Sequence, residues 1–92
     1  TEDIRYYHER AKCFILVKMY ENALQDFNIV LGTQPENANA LFGRGFAYKN
    51  LEKFQEAADD WERAKELDPT NAKLFGWIFI IAVADGIHQS LM

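Results

Sequence analysis

Apolar residues recur along this chain at intervals of three and four, separated by short polar stretches. Tyr7, Ala11 and Phe14 keep that interval within 4–17. Tyr20, Ala23, Leu24, Phe27, Val30 and Leu31 keep it within 20–31. Leu41, Gly45 and Tyr48 follow, and then Phe54, Ala57, Ala58, Trp61 and Ala64. Such spacing aligns side chains on one face of an α-helix, so the pattern predicts four helices taken in pairs. Pro35 and Pro69 end the second helix of each pair, because proline lacks an N–H and crowds the preceding turn. Asn37 and Asn71 then stand where a helix N-cap is wanted.

The two prolines lie 34 residues apart, and a shift of 34 brings other positions into register. Ala23 falls on Ala57, Phe27 on Trp61, Phe14 on Tyr48, Tyr20 on Phe54, Tyr7 on Leu41 and Ala11 on Gly45. Each unit reads as a helix, a short turn and a second helix. Small residues (Ala11 and Ala23; Gly45 and Ala57) let paired helices approach, and aromatics fill the space beside them. The chain therefore divides into repeat one at 4–37 and repeat two at 38–71, within a single domain of 1–92.

This period and pattern resemble the tetratricopeptide repeat. Repeat two carries it in Leu41, Gly45, Tyr48, Ala57, Trp61, Ala64 and Pro69; repeat one carries it in Tyr7, Ala11, Phe14, Ala23, Phe27, Val30 and Pro35. Leu41 replaces the usual tryptophan, Val30 replaces alanine, and Arg10 and Arg44 stand where leucine is common. The resemblance implies an all-α fold of tandem helix-turn-helix repeats: two repeats plus a C-terminal helix, a fragment of a right-handed α-solenoid. It also implies a scaffold that binds a partner protein or peptide, with no cofactor and no catalysis.

In that family the first helix of each repeat lines a concave groove. Carried onto this chain, the resemblance implies a groove of Arg5, His8, Glu9, Lys12, Asn39, Phe42, Gly43, Phe46, Lys49, Asn50, Lys73 and Trp77. Four of these are cations and one is a carboxylate, on a chain of formal net charge -4. Acid is gathered elsewhere, in Glu52, Glu56, Asp59, Asp60, Glu62, Glu66 and Asp68. That cluster reads as a solvated helix face supported by pairs such as Asp59–Arg63. A basic groove with aromatic residues suits a peptide carrying acidic and apolar side chains; the competing reading is scattered, solvated surface charge. A narrower reading is a co-chaperone module that clamps the acidic C-terminal tail of a heat-shock chaperone. The positions that such clamps use are His8, Lys12, Gly43, Lys73 and Trp77 here, of which only Lys73 matches outright.

After Asn71 a third unit begins and then breaks. Phe75 falls in register with Leu41, but Phe79 stands at the place of Gly45 and Ala82 at that of Tyr48. Residues 72–84 read as a terminal or capping helix, apolar all round, and 85–92 as a tail weakened by Gly86. Such arrays end in a polar outer face. The apolar end reads either as the cut edge of a longer array or as an oligomer interface through Trp77, Ile80, Ile81 and Val83; an extended strand is a third reading of 78–83.

Composition narrows the classes further. The acidic balance argues against nucleic-acid binding, which uses a basic face. The apolar run 74–84 is too short for a membrane span, which needs about 20 residues. There is no secretory signal and no initiator Met, so the chain reads as a segment of a longer protein. One cysteine excludes an intrachain disulfide and suggests a cytoplasmic or nuclear protein. Cys13 is expected to pack as a small apolar residue, His8 to sit at the groove edge, and His88 to lie in the tail. Two histidines and one cysteine, far apart, make no metal set. Gly43-Arg44-Gly45 follows no strand and has no third glycine, so it makes no dinucleotide loop.

Overall fold

The computed structural model describes residues 3–70, which form α1 (Ile4–Leu16), α2 (Tyr20–Thr33), α3 (Ala38–Asn50) and α4 (Phe54–Leu67). There is no strand among them. The fold is all-α, two antiparallel helix pairs at the expected period. Expectations that fall on Asn71, on the 72–84 helix and on the tail lie outside the described residues.

The helix ends follow from local chemistry. Helix α2 stops at Thr33 and α4 at Leu67, each two residues before a proline. The Asn37 side chain caps α3 by accepting from the Ala40 N–H at 3.0 Å. Asp3 caps α1, accepting from the Arg5 N–H at 2.9 Å. Helices α2 and α4 lack side-chain caps, and the chain enters them through a turn built twice. The Lys18 N–H donates to the Ile15 carbonyl and the Met19 N–H to Phe14; 34 residues on, Glu52 donates to Lys49 and Lys53 to Tyr48. Both turns place one residue in the left-handed region, Lys18 at φ 65° and Glu52 at φ 64°. This is the Schellman arrangement, in which glycine is usual. A side chain there costs about 1–2 kcal/mol, which the paired hydrogen bonds offset.

Helix α3 packs between α2 and α4 and also meets α1. It therefore buries most of its circumference: Ala40, Leu41, Phe42, Gly43, Gly45, Phe46 and Ala47. The two glycines make this possible. A Cβ on Gly43 would run into the tip of the Phe27 ring, and one on Gly45 would lie 2.5 Å from the Trp61 indole nitrogen. Phe27 is fully buried, with Ile15 and Val30, which is worth about 1.5–3 kcal/mol for the ring. Three expectations need correction. Cys13 is exposed rather than packed, because it lies about 200° around α1 from buried Ala11. Phe54 and Ala58, counted with the apolar face of α4, are exposed; they lie about 60° and about 100° around the helix from buried Ala57.

Candidate functional site

The expected groove residues come from α1 and α3, which touch directly. Arg5 is exposed at the start of α1 and pairs with Asp3 at 3.2 Å; that contact raises the arginine and lowers the carboxyl. Lys12 is half-buried and meets Glu9 at 3.3 Å. Lys49 is exposed and places its ammonium 5.7 Å from the centre of the Phe46 ring. Asn50 donates to the Phe46 carbonyl at 2.9 Å, and Asn39 is half-buried. Lys73 and Trp77, with the interface set Ile80, Ile81 and Val83, lie outside the described residues.

The aromatic lining differs from expectation. Phe42 is 6% exposed and Phe46 3%, so both rings belong to the core. Phe42 packs near Trp61, with centroids 6.2 Å apart, and Phe46 near Tyr20 at 6.4 Å. The cause is the depth at which α3 sits: with neighbours on both sides, little of its circumference is left for a ligand. Gly43 likewise faces Phe27. Of the expected set, the exposed members among the described residues are Arg5, Glu9, Lys49 and Asn50.

His8 is half-buried, edge-to-face on Phe27 at 6.0 Å and 70°. Its Nε2 is buried and has no hydrogen-bond partner. Burial, then the neighbouring Lys12, lowers its pKa from the ordinary 6.5, while Glu9 opposes the shift. Burial and Lys12 both favour the neutral imidazole.

The spacing had marked Arg10 and Arg44 only as departures, and the structure gives them a shared task. Arg10 grips the buried Asp26 with two hydrogen bonds, 2.7 and 2.9 Å long; Arg44 grips the buried Asp60 with two, 2.7 and 2.8 Å long. These contacts raise both arginines. Arg44 also donates to Asn28 at 2.8 Å, across the boundary between the repeats. Arg10 instead donates to Tyr6 of its own helix at 3.2 Å. Asp60 is thus no part of a solvated face. Nor does Arg63 pair with Asp59: it turns to Glu36 and Glu66, and Asp59 accepts from Gln55. The missed signal was that the 34-residue shift carries Arg10 onto Arg44 and Asp26 onto Asp60 together.

The described residues hold no group of three or more His, Cys, Asp and Glu side chains placed for a metal ion. None of the described helices is long and apolar enough to cross a membrane.

Residues 38–71 match the family model described as tetratricopeptide repeat. Tetratricopeptide repeat protein 34 of Mus musculus is 42% identical over 60 residues, covering 65% of this chain and 11% of that protein. Sperm-associated antigen 1 of Mus musculus is 35% identical over 65 residues, 71% of this chain and 7% of that protein. Peptidyl-prolyl cis-trans isomerase FKBP42 of Arabidopsis thaliana is 39% identical over 59 residues, 64% of this chain and 16% of that protein. The chain therefore spans a small part of each relative's length. No solved structure matches it. A helix pair recurs here every 34 residues and packs onto its own copy, and the chain belongs to the tetratricopeptide repeat family.

Proposed function

We propose that the chain is a non-enzymatic scaffold that holds a partner peptide against α1 and α3, and that the peptide is acidic with apolar residues. Tetratricopeptide repeats are a non-catalytic protein-interaction fold, and the helix pairs here are built to that plan. The observation that carries the reading is the cationic character of the face left open once Phe42 and Phe46 are buried. Lys12 and Lys49 stand on it, on an acidic chain, with Glu9 the single carboxylate of the expected set. Opposite charge across such a face speeds encounter and sets the choice of partner.

The test is a labelled peptide of alternating acidic and apolar residues, titrated against the chain and against Lys12→Glu/Lys49→Glu. The double reversal should weaken binding about tenfold or more, on the order of 1 kcal/mol for each exposed contact. Equal affinity for both proteins would end the proposal. The same titration with the peptide's C-terminus amidated addresses the chaperone-tail reading, which requires the free carboxylate. Gly43, buried against Phe27, brings no side-chain donor to that reading.

A further inference from the structure

We infer that the contact of His8 on Phe27 is an acid-sensitive latch that joins α1 to the seam between the two repeats. It goes beyond peptide holding, and its readout is stability rather than capture.

Three helices meet at this point. His8 comes from α1 and lies edge-to-face on Phe27 of α2. Phe27 is fully buried, and its tip fills the space left by Gly43 of α3. The ring of Phe27 is thus held by repeat one on one side and repeat two on the other. His8 Nε2 is enclosed there with no acceptor. A proton added to it would be a buried N–H with nothing to donate to, on a ring that has become a cation. Either cost disfavours the packed state.

The surrounding charges do not rescue that cation. On α1, Lys12 repels it and Glu9 attracts it, with burial and Lys12 together outweighing Glu9. Among the described residues, Phe27 of α2 and Gly43 behind that ring on α3 carry no charge, and Lys12 and Glu9 are the charged groups that act on His8.

The direction of the effect follows. The folded pKa lies below the ordinary 6.5 of an unfolded histidine. As pH falls through that value the unfolded chain binds the proton first. The latch contributes fully above it and is lost as pH falls, with a limiting loss of about tenfold in the folding constant per pH unit.

The test is urea unfolding of the whole chain at pH 7.5, 6.5 and 5.5, together with His8→Phe and His8→Leu. The wild type should lose stability across this window, and either variant that folds should be nearly flat. His88→Gln, measured alongside, separates the two histidines. An NMR titration of the wild type reads His8 directly, whatever the variants do. Its imidazole should titrate below 6.5, and the Gly43 amide should shift with the same midpoint. A His8 midpoint at or above 6.5, or equal pH slopes in wild type and His8 variants, would overturn the inference.

Discussion

Gly43 and Gly45 sit two residues apart on α3, so their open positions point about 200° apart around the helix. Each receives an aromatic ring from a different neighbour, Phe27 from α2 and Trp61 from α4. The two sites differ in how far the ring can yield. Phe27 is fully enclosed, whereas Trp61 is partly exposed, packs near Phe42 and donates its indole N–H to the Phe42 carbonyl at 3.2 Å. Alanine at either site gains about 1 kcal/mol of helix propensity and meets a steric cost of about 1–3 kcal/mol. Gly43→Ala should therefore be clearly destabilising, and Gly45→Ala should be nearer neutral. Chemical denaturation of the two variants checks the order. The sequence showed Gly45 as a small residue for helix approach, because it shares a register with Ala11. Gly43 shares a register with Glu9 and gave no such sign. Its need becomes visible only once α2 is seen lying across it.

Paired helices were legible where periodicity and stop signals agreed: the interval of three and four, the prolines and Asn37. The polar contacts between them were not. Asp60 sits in a run of acidic residues on α4, and composition cannot separate the one buried carboxylate from its solvated neighbours. Nor does spacing tell which helix face a second neighbour covers, so Phe42 and Phe46 read as groove rather than core. Within a pair, the arginine clasp behaves as a unit. Arg44→Met alone would leave Asp60 buried without its cation and should cost about 3–5 kcal/mol. Arg44→Met/Asp60→Leu removes both charges and should recover most of that loss. Urea midpoints for the single and double variants measure the difference; an equal loss in both would show that the clasp contributes through shape alone.

Between the pairs, the described parts of the repeats are joined by apolar contacts and by polar ones. Phe27 on Gly43 and Tyr20 near Phe46 carry the apolar part; Asn28 accepting from Arg44 is a polar bridge, with Arg63 to Glu36 a weaker surface contact. Asn28 is exposed, and Arg44 keeps both bonds to Asp60 without it. Asn28→Ala should thus cost only about 1 kcal/mol. It should leave a single unfolding transition of unchanged slope, since the apolar seam persists. Helicity followed against urea tests this, and two separated transitions would mean that the bridge, not the seam, couples the repeats. A register shift of 34 predicted that the repeats would be alike. It did not show that Arg44 reaches across a boundary where Arg10 turns back to Tyr6 of its own helix.

The exposure of Cys13 has a practical consequence. It is the sole thiol of the chain and lies on α1 opposite Ala11. A maleimide dye or spin label therefore attaches at one known point, next to Lys12 on α1, without a cysteine being engineered first. Two chains left in air can also cross-link there through a disulfide. A dimer that disappears on adding reductant would then report oxidation at α1, and one that persists would report association through another surface.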